Sequence, residues 1–226
     1  MKIELIDKTN STNEYIKQYI KDGQDVLVCS RIQTGGKGTK GRSFASSEGG
    51  VYLSALRFFS QLPNKDAFHL LQHAAVAVCL TVESYGVKPY IKWPNDVLVN
   101  GRKIAGILIE NTFSGAYIAN SIVGIGLNIR NDLGTLNDIA INLSEAAGRM
   151  LSAEESRDRL IENFCATGLV ESEEMYEQRL LLGSVKVIEG DKMYPAIAKR
   201  VLCDGRLEVE TENGVKLLSA AEVSIR

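Results

Sequence analysis

Between Gly35 and Arg42 the chain places four glycines and three cations, Lys37, Lys40 and Arg42, in eight residues. Glycines let backbone N–H groups come close to a ligand and clustered cations add charge, so the segment is suited to holding an anion, phosphate above all. Gly36-Lys37-Gly38-Thr39-Lys40-Gly41 satisfies the dinucleotide-binding pattern, and read on to Ser43 it nearly satisfies the Walker A pattern, with Arg42 where that pattern has lysine. Both patterns require a helix after the loop to receive phosphate at its N-terminus, whereas residues 50–59 alternate as a strand. No acidic residue suited to a ribose follows about 20 positions on. A solvated basic hairpin loop is the bland alternative, and the concentration of charge favours anion binding over it.

Two other sets of reactive side chains read as structural. His69 and His73 stand four apart on a predicted helix, but His69-Leu70-Leu71-Gln72-His73 lacks the glutamate of the zinc protease motif. Cys29, Cys79, Cys165 and Cys203 form no Cys-x-x-Cys pair and sit among apolar or strand-like neighbours, which predicts buried free thiols.

The elements that must position the loop follow from periodicity. A short strand is expected at 3–6, then a helix opened by the capping box Ser11-Thr12-Asn13-Glu14, running to about Lys21 and stopped by Gly23. Strands at 25–32 and 51–59 flank the glycine-rich loop, giving a strand-loop-strand unit. A long apolar helix is expected over 64–85, ended by Gly86 and packed across a sheet. Residues 90–92 read as extended, and Asp96 to Glu110 as two apolar runs joined by Asn100-Gly101, a two-residue hairpin signal. A strand at 117–123 and helices at 153–166 and 172–182 follow, the first opened by the capping box Ser152-Ala153-Glu154-Glu155. Beyond Gly183, short β-like runs separated by Glu189-Gly190-Asp191, Asp204-Gly205 and Asn213-Gly214 predict a small second module, an antiparallel barrel or sheet.

Five blocks resemble the biotin protein ligases and stand in that family's order: Ser11-Thr12-Asn13, the segment from Gln33 to Arg42, Lys92-Trp93-Pro94-Asn95-Asp96, Arg102-Lys103-Ile104-Ala105-Gly106, and Gly124-Ile125-Gly126-Leu127-Asn128. The resemblance covers essentially the whole chain, and the Lys-Trp-Pro-Asn-Asp block with the following Lys-x-x-Gly is its most specific part. It implies an α+β fold: a catalytic domain like that of the class II aminoacyl-tRNA synthetases, with a mixed sheet and packed helices, over residues 1–182, and a C-terminal SH3-like β-barrel over 183–226. It also implies a two-step reaction. The biotin carboxylate attacks the α-phosphate of MgATP to give biotinyl-5′-adenylate and pyrophosphate, and a lysine of a biotin carboxyl carrier protein, such as that of acetyl-CoA carboxylase, then takes the biotinyl group.

Carried over by position, the resemblance implies Lys103 and Arg42 as catalytic cations, Lys103 bridging the biotin carboxylate and the α-phosphate. Ser11, Thr12, Asn13, Gln33, Gly36, Lys37, Gly38, Tyr52, Gly106 and Gly124 join Lys103 around biotin, whose ureido ring needs both donors and acceptors. Lys37, Thr39, Lys40, Arg42, Phe44, Asn95 and Asn128 would meet ATP, the two asparagines reading the adenine edge as carboxamides do in base readout. Asp96 would either support Mg²⁺ or fix the hairpin. Two positions depart from the family: Thr39 stands where arginine is common, and Phe44 where tryptophan is usual. Apart from the resemblance, Lys103 is an ordinary lysine beside a turn, Ser11 a helix cap, Tyr52 a core tyrosine, and Asn95 and Asn128 turn residues.

The rest of the sequence narrows the alternatives. A lipoate or octanoate ligase would carry an Arg-Arg-x-Ser-Gly-Gly-Gly block and a downstream His-Asp, which this sequence does not have. A non-catalytic biotin sensor is disfavoured by the presence of both Lys103 and Arg42. The formal net charge of −2 gives no general attraction to nucleic acid, and with Ser11-Thr12-Asn13 so near Met1 there is no room ahead of it for a winged helix, so no DNA binding is expected. The first residues lack the pattern of a secretory signal and no apolar run approaches a membrane span, so a cytoplasmic protein is expected. A monomer and a homodimer are both compatible with the resemblance.

Overall fold

The computed structural model describes residues 1–220 and 223–225. Its first sheet is built from β1 (Lys2–Thr9), β2 (Val26–Gln33), β3 (Val51–Pro63), β4 (Tyr90–Lys92), β5 (Asp96–Val99), β6 (Arg102–Ser114) and β7 (Tyr117–Leu127). The strand order is β1-β2-β3-β7-β6-β5-β4, with β1 parallel to β2 and antiparallel pairing elsewhere. The β5–β6 hairpin closes where Asn100-Gly101 predicts, with positive φ at both residues (52° and 75°), the conformation a type I′ turn demands.

Side chains alternate across this sheet. One face carries Leu27, Leu53, Ala55, Ile107, Val123 and Ile125 into the main core, beneath α2 (Ala67–Glu83). The run Ala74 to Cys79 in α2 is fully buried, and its small side chains let the helix sit close to the sheet, to α4 (Ala153–Ala166) and to α5 (Glu171–Glu177). On the other face Leu56 and Ile122 pack under α1 (Thr12–Ile16) with Ile16, Val26 and Val28. This second face is the one that carries the site.

Local expectations fail where tertiary contacts compete with them. Ser11 sits at the N-cap of α1 but its side chain makes no cap hydrogen bond, and Glu14 binds Lys17 and Lys37 instead, so that capping box does not form. The α-helical stretch ends at Ile16 and continues as a 3₁₀ turn to Asp22 before Gly23 (φ 64°). In the second capping box Ser152 does accept from the Glu155 N–H at 3.2 Å. The long helix begins at Ala67 after a 3₁₀ turn at Asn64–Asp66, α5 is shorter than expected, and α3 (Leu143–Ala146), capped by Asn142, was not expected. Cys29 and Cys79 are buried, with burial pushing the Cys29 thiol up to about 12, but Cys165 and Cys203 are exposed, which corrects the expectation of four buried thiols.

From Gly183 onward the chain forms β8 (Gly183–Glu189), β9 (Lys192–Val201), β10 (Leu207–Thr211), β11 (Gly214–Leu218) and β12 (Val223–Ile225), all antiparallel in the order β11-β10-β9-β8-β12. Among the described residues β11 and β12 are unpaired edges, so the sheet is open where a barrel was expected; Ala221, Glu222 and Arg226 of that expected module lie outside the described residues. Val187, Ala198 and Val209 join the main core, and the Trp93 indole N–H donates to the Gly205 carbonyl at 2.9 Å. No helix among the described residues is long and apolar enough to cross a membrane.

His73 ties α2 to the end of α4. Its Nε2 lies 3.0 Å from the Phe164 carbonyl oxygen and 3.1 Å from that of Thr167, so this nitrogen carries a proton and donates. Burial, aided by Arg57, lowers its pKa below the ordinary 6.5. The unfolded chain therefore binds this proton more readily, and stability is lost as pH falls from about 6.5 toward the folded value. The melting temperature is expected to fall between about pH 7.5 and 5.5, and less steeply in His73→Gln; parallel curves would remove His73 as the cause.

Candidate functional site

The site is a cavity of about 780 Å³ on the α1 face of the first sheet. Its floor follows from strand register. Ser54 of β3 pairs with Gly124 of β7, and Gly124 with Leu108 of β6; one step along, Gly126 pairs with both Tyr52 and Gly106. Missing side chains at three of these positions let other groups descend onto the sheet. A Cβ at Gly124 would overlap the Asn13 carboxamide oxygen, one at Gly126 would lie 2.7 Å from Phe44 Cζ, and one at Gly106 would lie 2.8 Å from Lys103 Nζ.

One wall is the start of α1, where Ser11, Thr12 and Asn13 are nearly fully buried. Gln33 Oε1 accepts from the Thr12 backbone N–H at 2.8 Å and from the Thr12 hydroxyl at 3.1 Å. Gln33 Nε2 donates to Ser46 Oγ, which donates to the Phe44 carbonyl. Ser54 Oγ lies 2.6 Å from Asn13 Oδ1 and 2.8 Å from Thr12 Oγ1, and Asn13 Nδ2 donates to Glu110. These contacts link six polar side chains, Thr12, Asn13, Gln33, Ser46, Ser54 and Glu110, and Ser11 lines the cavity with its hydroxyl uncommitted to the helix.

The glycine-rich loop forms a second wall. Lys37 and Ser43 bridge across it, and the turn between them uses positive φ at Lys40 (57°) and Gly41 (72°), the second of which suits glycine. Lys37 Nζ is 2.6 Å from Glu14 Oε1, and this bond, followed by that from Lys17, lowers the Glu14 pKa. Arg42 is held instead by Thr39, its Nη2 donating to Thr39 Oγ1 at 3.1 Å and its Nε to the Thr39 carbonyl at 3.3 Å.

Lys103 rises from the β5–β6 hairpin. Its Nζ is 2.6 Å from Asp96 Oδ1 across the hairpin and 5.7 Å from the centre of the Phe44 ring. The roof is the segment after β7: the Lys103 N–H donates to the Ile139 carbonyl and the Lys103 carbonyl accepts from the Ile141 N–H, so this segment is fastened to the backbone of the lysine itself. Asn128 anchors its other end, donating to the Ile141 carbonyl at 3.4 Å and accepting from Asn131 Nδ2 at 3.1 Å.

Of the residues the sequence singles out, Ser11, Thr12, Asn13, Gln33, Lys37, Gly38, Thr39 and Arg42 line this cavity from the α1 and loop side. Phe44, Asn95, Asp96, Lys103, Gly106, Gly124 and Asn128 line it from the sheet side. Three stand back from it. Gly36 is packed behind the loop against Ser46 and the Phe44 carbonyl, Tyr52 is fully buried and donates to the Ser47 carbonyl at 2.5 Å, and Lys40 lines an adjoining cavity of about 440 Å³. Asn95 Nδ2 donates to the Ile107 carbonyl at 2.8 Å, so both asparagines act as turn residues as well as cavity-lining groups.

Sequence reasoning missed Ser54 and Glu110, whose bonds to the α1 block become visible only with the strand register, and the roof residues Leu136, Asp138 and Ile139. Lys37 and Lys103 each hold a carboxylate, whereas Arg42 has no carboxylate partner among the described residues, so the loop side presents uncancelled positive charge. Among the described residues no cluster of three His, Cys, Asp or Glu could hold a metal ion by itself. A magnesium ion bound mainly through substrate phosphates, with Asp96 as a protein ligand, fits this donor set.

Residues 3–128 match the sequence profile described as the biotin/lipoate A/B protein ligase family. The bifunctional ligase/repressor BirA of Bacillus subtilis is 39% identical over 134 residues, covering 57% of this chain and only 41% of that protein. A biotin--[acetyl-CoA-carboxylase] ligase of Paracoccus denitrificans is 31% identical over 173 residues, covering 71% of this chain and 70% of that protein. A solved structure, the biotin protein ligase from Aquifex aeolicus in complex with biotin and ATP, superposes with a TM-score of 0.76 at 26% identity, covering 100% of this chain and 98% of that one.

Proposed function

Because the chain belongs to the biotin/lipoate A/B protein ligase family, we propose that it activates biotin with MgATP and transfers the biotinyl group to a lysine of a biotin carboxyl carrier protein. In the first step a biotin carboxylate oxygen attacks the α-phosphorus and pyrophosphate leaves. In the second the acceptor ε-amine attacks the acyl carbon and AMP leaves.

The observation that carries this reading is the placement of Lys103. Its ammonium lies over the glycine floor, in the cavity whose walls are the polar network around Thr12 and the cation-bearing loop. An ammonium there can lie between a carboxylate seated in the network and a phosphate seated against the loop. It would offset the repulsion of two anions brought together and stabilise charge as it develops on the α-phosphate. An arriving anion competes with Asp96 for Lys103, and Arg42, which has no carboxylate partner among the described residues, supplies charge on the triphosphate side. Bound magnesium would neutralise phosphate charge, with Asp96 beside it.

The network favours biotin over lipoate. A ureido ring offers two N–H donors and a carbonyl acceptor, which the uncommitted Ser11 hydroxyl and the remaining donor and acceptor capacity of Thr12, Asn13 and Gln33 would meet; a dithiolane ring has no such groups to use them. Closing the loop and roof over the ligand would keep water from the adenylate. We read residues 1–182 as the catalytic domain and 183–226 as a small SH3-like β domain docked through Gly205.

Incubation with biotin, MgATP and a purified biotin carboxyl carrier domain tests the reading. One biotinyl group on the carrier's target lysine, located by mass spectrometry, is expected. Absence of carrier modification, with the same carrier labelled by another ligase, would reject it.

A further inference from the structure

Both residues of the Thr39–Arg42 pair line the main cavity and the adjoining one, and Arg42 reaches Thr39 through two separate donors. We propose that Thr39 is a positioning residue whose hydroxyl fixes the Arg42 guanidinium in the orientation that receives the nucleotide's phosphates. This rests on the functional reading above.

The argument is geometric. Arg42 is exposed, and an arginine side chain in water samples many rotamers; ordering it before the anion arrives removes part of the entropy that binding would otherwise cost. The turn supplies the means. The Gly38 N–H donates to the Arg42 carbonyl at 2.6 Å and the Arg42 N–H to the Thr39 carbonyl at 3.2 Å, so residues 38 and 42 close on each other and Thr39 faces the side chain it holds. Because Thr39 is uncharged, it orients the guanidinium without cancelling its charge, unlike the Glu14–Lys37 and Asp96–Lys103 pairs of the same cavity. Two of the guanidinium's nitrogens are engaged, and Nη1 makes no hydrogen bond among the described residues, which leaves donors for a phosphate.

Thr39→Val keeps the branched shape and removes the hydroxyl. It is expected to raise KM for ATP in biotin-dependent pyrophosphate exchange by roughly five-fold, as loss of one hydrogen bond to a charged group at an exposed site implies. Thr39→Ser should restore KM to within about two-fold, and biotin affinity without nucleotide should be unchanged in both. In an Arg42→Ala background Thr39→Val should add nothing, which a role independent of Arg42 would not reproduce. An unchanged or lower KM in Thr39→Val, or an equal loss in the Arg42→Ala background, overturns the proposal. Pyrophosphate affinity by calorimetry separates this from the functional reading: if the wild type lacks exchange the reading fails, and weaker pyrophosphate binding by Thr39→Val still supports the pairing while unchanged binding refutes it.

Discussion

Lys103→Ala is expected to make biotinyl-adenylate at least about a hundredfold more slowly than the wild type while keeping its fold, because removing one donor aimed at developing charge costs roughly 3 kcal/mol or more of transition-state stabilisation. The side chain lies on the floor, and among the described residues what holds it is one ion pair with Asp96 and the face of Phe44. Its backbone bonds to Ile139 and Ile141 are independent of the side chain, so the roof stays fastened when the ammonium is removed. Asp96 loses its partner but is near the cavity and can be hydrated, which limits the stability cost. Single-turnover formation of the adenylate, beside circular dichroism, separates the two effects. Wild-type rates in a folded Lys103→Ala protein would mean that the catalytic cation lies elsewhere.

Gly36→Ala should abolish most biotin binding through the backbone alone. A Cβ at this buried position would sit 2.5 Å from the Phe44 carbonyl oxygen, closer still to Ser46 Oγ, and 3.1 Å from Gln33 Nε2. The serine could rotate away, but the carbonyl could not move without breaking the Phe44 N–H to Gly36 carbonyl bond that closes the loop. Displacing Ser46 and Gln33 would also disturb the bond between Gln33 and Thr12, and with it the wall against which biotin would lie. Overpacking of this kind costs about 1–3 kcal/mol, and concentrated in the pocket it predicts a loss of biotin affinity of at least roughly tenfold. The same strain lowers the melting temperature by roughly 2–10 °C without unfolding the protein at room temperature. Unchanged biotin affinity by calorimetry would show that the loop is not part of the biotin wall.

The contrast between what the sequence reveals and what it hides has a physical pattern. The β5–β6 hairpin is legible because Asn100-Gly101 specifies its turn locally, and the cation-bearing loop because its glycines and charges are adjacent. The floor is legible only in part: the resemblance points to Gly106 and Gly124, but that they share a face with Gly126 and Ser54 depends on β7 being inserted between β3 and β6. The Ser11 cap fails for the related reason that Glu14, its expected reciprocal partner, is drawn to Lys17 and Lys37, and the latter lies on a different element. The roof is held by the carboxamides of Asn128 and Asn131 and by pairing with the Lys103 backbone, none of which a hydrophobic period records. The open C-terminal sheet follows short turns correctly, but which strands pair at its edges is a long-range matter.

The central claim is that this cavity joins biotin to AMP, and exchange of labelled pyrophosphate into ATP tests it without an acceptor protein. The account predicts exchange that requires biotin and magnesium, is not supported by lipoic acid, and is lost in Lys103→Ala. Exchange supported by lipoic acid in place of biotin, or no exchange with biotin by a folded protein, would contradict it.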